Sequence, residues 1–119
     1  MSQSTWYRGD SIRVKQTGYA GNLGQRFGKF AAELRETIIR VIRSDDPMAE
    51  EPFGCIVGHG SQCRGYATEA KALAAGERWM EANGWTQDRA LAESEAVYKA
   101  LKRHEAQNAK SSNYAKHYE

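Results

Sequence analysis

The chain has 119 residues, of which 40% are hydrophobic, and a formal net charge of +2. This length is enough for one domain whose core needs neither a disulfide nor a metal. No stretch approaches the roughly 18 apolar residues that cross a bilayer, and the first residues lack the layout of a signal peptide. We therefore expect a cytoplasmic protein with no membrane partner, in which both cysteines are free thiols.

The charges are distributed unevenly along the chain. Residues 1–43 hold eight bases and three acids, whereas residues 44–63 hold four acids and no base. A basic segment can attract nucleic acid or an acidic protein, and it can equally be a solvated surface that keeps a protein in solution. Composition alone leaves both interpretations open.

The first predicted element is a β-strand. Ile12 and Val14 alternate with Arg13 and Lys15 within residues 11–16. A period of two places the aliphatic side chains on one face of a strand and the bases on the other. The pattern therefore predicts a basic sheet face.

Glycine is concentrated in the segment that follows. Residues 17–28 contain four glycines, which oppose regular structure, and they also contain Tyr19 and Arg26. We expect a mobile surface loop of the kind that often carries binding function. Gly9, earlier in the chain, is interpreted as part of a turn or bulge.

Residues 29–43 fit two structures. Their apolar residues form a stripe at helical spacing, which favours a helix. They also alternate over residues 29–35, and a β-branched run follows over residues 37–42, which favours two strands joined by a turn near Glu36. We favour the strands.

A hairpin is predicted around residues 58–62. If Val57 pairs with Cys63, then Cys55 and Cys63 are diagonal neighbours across the two strands. Diagonal neighbours lie about 7 Å apart, which is too far for an unstrained disulfide.

Two helices are predicted in the C-terminal half, over residues 68–83 and 86–108. Thr68 and Thr86 are suitable N-cap residues for the two helices. The pair Asn83-Gly84 at the end of the first helix is typical of a left-handed C-cap.

The predicted fold class is α+β: an antiparallel β-sheet in the N-terminal half, packed by one helix of the C-terminal half, with a second C-terminal helix. Leu73 and Trp79 of the first helix are expected to be buried against the sheet. We predict one domain over residues 1–109 and a flexible C-terminal tail over residues 110–119.

Cys55, His59 and Cys63 stand four residues apart and are the types of residue that bind zinc. A structural zinc site needs four ligands, and no fourth lies near, so we predict no metal. Cys63 with His59 as its base would make a small enzyme. The sequence shows no third group to orient the pair, so we predict no enzymatic activity and no cofactor.

The remaining signal is the basic, aromatic N-terminal half. Arginine and lysine contact phosphates and aromatic rings stack on bases, while tyrosine and arginine also dominate protein–protein interfaces. We predict a non-enzymatic inhibitor or adaptor of the phage or mobile-element type, acting on a host protein or ribonucleoprotein complex. The alternative is a nucleic-acid-binding protein that uses a basic, aromatic sheet face. The predicted binding residues are Arg13, Lys15, Tyr19, Arg26 and Lys29.

Overall fold

A computed structural model describes residues 3–58 and 61–116 of the chain. The elements are, in chain order, β1 (Gln3–Arg13), β2 (Arg26–Phe27), β3 (Phe30–Arg43), β4 (Phe53–Val57), β5 (Ser61–Tyr66), α1 (Glu69–Ala82) and α2 (Arg89–Lys116). The strands form one sheet in the order β1-β3-β4-β5, with β2 paired to β3. The predicted α+β class, an antiparallel sheet followed by two helices, is confirmed.

The long strand β3 runs without a break through the position where a turn was expected. The preference for strand over helix is confirmed, but the predicted turn near Glu36 is wrong, because Glu36 lies inside β3. Three strands pair with β3: β1, β2 and β4. Ala31 pairs with β2, and the stretch from Ile39 to Arg43 pairs with β4. These pairings override the helix-forming residues in the middle of the segment, as tertiary context commonly does.

The chain divides into two compact units. The first comprises Met1–Tyr7 and Glu36–Arg89, and the second comprises Arg8–Arg35 and Ala90–Glu119. Strands β1 and β3 therefore contribute residues to both units. The division into a domain over residues 1–109 and a tail over residues 110–119 stays a prediction.

In the first unit, α1 has the predicted ends. The Thr68 hydroxyl accepts a hydrogen bond from the Lys71 backbone N–H at 3.2 Å, which caps the start of the helix. After the C-cap residue Asn83, Gly84 has a positive φ of 81° that suits glycine. The capping residues thus fix both ends of α1.

The buried face of α1 differs from the predicted one. Met80 is 0% exposed and belongs to the core cluster, whereas Trp79 is 37% exposed, so the predicted burial of Trp79 is wrong. Leu73 is half-buried against the same cluster. The phase is set by Gly76, where an added Cβ would lie 2.9 Å from Cys55 Sγ. The small residues of α1 therefore face the sheet, and the neighbouring indole is turned outward.

After α1, the chain pairs with the first strand rather than starting a helix at once. Tyr7 and Thr86 exchange two backbone hydrogen bonds of 2.7 and 2.8 Å. Thr86 is therefore not the N-cap of α2, although its hydroxyl accepts from the Asp88 N–H at 3.1 Å. The second helix begins at Arg89 and continues to Lys116, later at both ends than predicted.

In the second unit, Gly9 lies within β1, and the predicted turn there is wrong. An added Cβ at Gly9 would overlap the Ala92 carbonyl oxygen and would lie 2.5 Å from the Ala96 backbone nitrogen. Ala92, Ala96 and Ala100 are fully buried along α2. The glycine is present because the backbone of α2 crosses β1 at close range, a role that glycine also has inside strands elsewhere.

Two methionines test the phase of α1. Met80→Ala should lower the free energy of unfolding by about 3 kcal/mol, because it leaves a cavity in the core of the first unit. Met48 is 85% exposed and provides the matched control. Met48→Ala should change stability by less than about 0.5 kcal/mol in urea denaturation. Equal losses for the two variants would contradict the observed helix phase.

A second pair of variants tests the contact at Gly9. Gly9→Ala should cost about 3 kcal/mol, because the methyl group meets helix backbone that no side-chain rotation can move. Gly24 has open space around it and a φ of +70°, so Gly24→Ala should cost only the roughly 1 kcal/mol of left-handed backbone strain. Thermal unfolding of both variants measures the difference, and a Gly9→Ala loss no larger than that of Gly24→Ala would refute the close approach.

Candidate anion-binding site

The end of β1 and the β2–β3 hairpin are joined by a direct backbone contact. The Val14 N–H donates to the Lys29 carbonyl at 2.6 Å. Within the hairpin, Arg26 lies opposite Ala31 and Phe27 lies opposite Phe30. Residues that are far apart in the glycine-rich sequence are thereby held side by side.

Helix α2 packs against the turn of this hairpin and against the aromatic residues beside it. Gly28, at φ 60°, packs so closely on the His104 ring that a Cβ there would overlap Nδ1. The Arg103 guanidinium lies 5.7 Å from the centroid of the Phe30 ring. Phe27 and Phe30 both pack against the alanine cluster that contains Ala100. The hairpin therefore packs on α2 through half-buried aromatic rings that contact buried alanines.

A concavity of about 310 Å³ opens between the end of β1 and the hairpin, and we call it the basic concavity. Its lining consists of seven residues: Arg13, Val14, Lys15, Gln16, Arg26, Gly28 and Lys29. Four of the five predicted binding residues thus meet in one place. These residues do not share one face of a strand, contrary to the prediction from the sequence. Strand β1 ends at Arg13, and Lys15 belongs to the segment after it.

The fifth predicted residue, Tyr19, does not line the basic concavity. It is 52% exposed and follows Gly18 in the chain. A Cβ placed at Gly18 would lie 3.9 Å from Arg26 Nη1, so the chain passes close to that guanidinium just before Tyr19. The ring is accessible near the site without being part of its wall.

The four cations of the basic concavity form no ion pair with any carboxylate in the part of the chain that the structure describes. Another groove of the second unit, of about 470 Å³, contrasts with this. There Arg35 pairs with Asp10 at 2.8 Å, Lys99 donates to the Gly9 carbonyl at 2.7 Å, and Lys102 approaches Glu105 at 3.4 Å. Cations that already have internal partners are less available to a ligand.

The glycine-rich loop is anchored to β3, a feature that the sequence analysis missed. The Asn22 side chain donates to the Leu34 carbonyl at 2.6 Å and accepts from the Leu34 N–H at 2.7 Å. It thus occupies both backbone groups of Leu34, as a neighbouring strand would. Gly21, at φ 74°, lies against the Ala32 carbonyl with no room for a Cβ. The Gly-Asn pair is the sequence signal for this anchor, since both residues favour tight backbone turns.

A groove of about 500 Å³ in the first unit has mixed charge. Its lining includes Arg43 and Arg64 together with Asp45, Asp46 and Glu51. The Arg43 guanidinium also lies 5.6 Å from the centroid of the Phe53 ring. Alternating charges of this kind select no single class of ligand.

The other predicted chemistry concerns the cysteines. Cys55 and Cys63 are both free cysteines in the structure, whereas His59 lies outside the described residues. Over residues 3–58 and 61–116, no three metal-ligating side chains cluster. Neither helix, as far as it is described, combines the length and apolarity needed to cross a bilayer.

Comparisons with known proteins identify no relative: no protein-family model, curated protein or solved structure matches the chain.

One substitution tests whether the loop beside the basic concavity is held by Asn22. Asn22→Asp replaces the amide donor by a carboxylate that faces the Leu34 carbonyl, so the free energy of unfolding should fall by about 2 kcal/mol. Amide hydrogen exchange should accelerate at Leu34. Gln87→Glu introduces the same charge at an exposed position and should change stability by less than about 0.5 kcal/mol. Unaltered exchange at Leu34 in Asn22→Asp would show that the loop does not depend on this anchor.

Proposed function

We propose that this chain is a non-enzymatic binding protein that holds the phosphate backbone of a nucleic acid, free or within a ribonucleoprotein, in its basic concavity. The observation that carries the proposal is the convergence of Arg13, Lys15, Arg26 and Lys29 on one concavity without ion pairs among the described residues.

The chemistry of the lining favours a phosphate ligand. Two guanidinium groups can each form paired hydrogen bonds with phosphate oxygens, and two ammonium groups add compact positive charge. The lining contains no carboxylate that would repel an anion. It also contains no thiol or imidazole that would act as a nucleophile or general base, which supports binding rather than catalysis.

The rigidity of the scaffold supports affinity. The Val14–Lys29 hydrogen bond, the short hairpin and the Asn22 anchor restrain the backbone that carries the cations. A backbone that is already ordered loses less conformational entropy when a ligand binds. The exposed Tyr19 offers a ring on which an unpaired base could stack.

The proposal connects with the first expectation from the sequence, an inhibitor or adaptor of the phage or mobile-element type that acts on a host protein or ribonucleoprotein complex. A ribonucleoprotein would supply the phosphates that the basic concavity suits. An acidic protein surface is the competing partner, and the experiments below separate it from nucleic acid.

Reversal of charge tests the proposal. The triple variant Arg13→Glu, Lys15→Glu, Arg26→Glu should bind a fluorescently labelled mixed-sequence RNA, about 20 nucleotides long, at least about tenfold more weakly in fluorescence anisotropy. The slope of log affinity against log salt should fall by about 2, because three phosphate contacts no longer release counterions.

The matched control carries the same change of charge on the first unit. Arg40→Glu, Lys71→Glu, Arg78→Glu replaces three exposed cations outside the basic concavity and takes the formal net charge from +2 to −4, as the test variant does. Circular dichroism establishes that both variants fold. Equal affinity of the test variant and the control for the RNA would refute the site.

Capture of partners from a cell lysate, with and without nuclease, then separates the two partner classes. Partners that nuclease releases, and that the test variant fails to retain, support the proposal. Partners that are retained after nuclease treatment, and whose binding depends on the same three residues, would contradict the proposal and identify an acidic protein as the ligand.

A further inference from the structure

Two cysteines face each other across strands β4 and β5. Cys55 pairs directly with Cys63, and Val57 pairs with Ser61. The register predicted from the sequence, with Val57 opposite Cys63, is therefore wrong by two residues on the returning strand. The cysteines change from diagonal neighbours to a directly opposed pair.

Direct opposition brings the two residues within reach of a covalent bond. Opposed residues of an antiparallel pair have Cα atoms about 4.5 or 5.5 Å apart, depending on the type of pair. Both separations lie in the range of about 4.4–6.8 Å that disulfides span. Both side chains also lie on the core face of the sheet, because Cys55 belongs to the core cluster and Cys63 packs against it.

The surroundings of the pair leave room on the helix side. Gly76 of α1 faces this part of the sheet, and a Cβ there would lie 2.9 Å from Cys55 Sγ and 3.0 Å from Ile39 Cγ2. A glycine in the interior of a helix normally costs stability relative to alanine. Here it accommodates the sulfur that the sheet directs at the helix.

The two thiols differ in accessibility. Cys55 is fully buried, and burial, together with the neighbouring Cys63 thiol, raises its pKa to about 11. Cys63 is half-buried, so a small reagent reaches it first. The pair thus consists of one accessible sulfur and one sheltered sulfur directly opposite it.

We propose that Cys55 and Cys63 form a redox pair that a low-molecular-weight disulfide, such as oxidised glutathione, converts into an intramolecular disulfide linking β4 to β5. This property belongs to the first unit and is independent of the function proposed for the basic concavity.

The reaction proceeds in two exchanges. The Cys63 thiolate attacks one sulfur of oxidised glutathione, forming a mixed disulfide and releasing one glutathione thiolate. Cys55 then loses its proton to solvent, and its thiolate attacks the Cys63 sulfur and expels the second glutathione. Two protein thiols are oxidised and one glutathione disulfide is reduced to two thiols.

Both exchanges need a thiolate and therefore accelerate with pH, and burial raises the pKa of Cys55, so the second exchange keeps this dependence above neutral pH. Below that pKa, the thiolate fraction of Cys55 rises about tenfold for each pH unit, and only the thiolate is a nucleophile. Burial still raises the pKa of Cys55 once Cys63 is in the mixed disulfide, so that disulfide should be resolved about tenfold faster at pH 8 than at pH 7.

The test is incubation of the folded protein with oxidised glutathione, followed by acid quenching, intact mass and peptide mapping. The expected product has lost two hydrogens, retains no glutathione and yields one cross-linked peptide that contains Cys55 and Cys63. Cys55→Ala should stop at the glutathione adduct on Cys63, and Cys63→Ser should not react.

The same incubation in denaturing urea measures what the fold contributes. The equilibrium constant for the disulfide should be at least about tenfold larger in the folded protein than in the unfolded chain, because the strand pairing holds the sulfurs together. A stable glutathione adduct on folded wild-type protein, or an equilibrium constant no larger than in urea, would overturn the proposal.

Discussion

The packing of helix against strand at very short range is the constraint on which both compact units depend. In the first unit, Gly76 of α1 meets Cys55 and Ile39, and in the second unit, Gly9 of β1 meets the backbone of α2. Alanine accounts for half of the fourteen buried hydrophobic residues in the described part of the chain, which is consistent with interfaces that large side chains cannot enter. In the first unit, the large side chains of Trp6 and Met80 belong to the same core cluster as Cys55 and Ile39. Such close packing of small residues makes many van der Waals contacts, although it buries little apolar surface.

Local sequence signals predicted where helices and strands begin and end better than they predicted which faces of these elements pack together. The cap at Thr68 and the stop at Gly84 depend on nearby residues, and each is confirmed. Trp79 was misplaced because hydrophobicity alone selects the largest side chain for the core. The helix instead turns its small residues to the sheet, and this choice depends on how closely the two elements approach.

The glycines illustrate the same limit. In the sequence, Gly9 looks like a turn residue. In the structure, glycine is required there by the close approach of a helix that lies more than 80 residues later in the chain. The pairing of Cys55 with Cys63 likewise depends on a register that the residues of a short hairpin do not specify. At the candidate site, the sequence predicted a set of mostly basic residues, and the structure brings four of the five together in one concavity. Their convergence requires the Val14–Lys29 contact, which leaves no local pattern in the sequence.

The atoms that Gly9 approaches belong to the backbone of α2, and this has an evolutionary consequence. Where two side chains collide, a smaller partner compensates for a larger one, and such positions covary among related proteins. A substitution at Ala92 or Ala96 changes the side chain but leaves the backbone carbonyl oxygen and amide nitrogen in place. No substitution in α2 can therefore make room for a larger residue at position 9. Among descendants of this chain, position 9 should stay glycine while positions 92 and 96 exchange only among alanine, serine and glycine. Position 9 is therefore expected to be an invariant glycine that has no covarying partner.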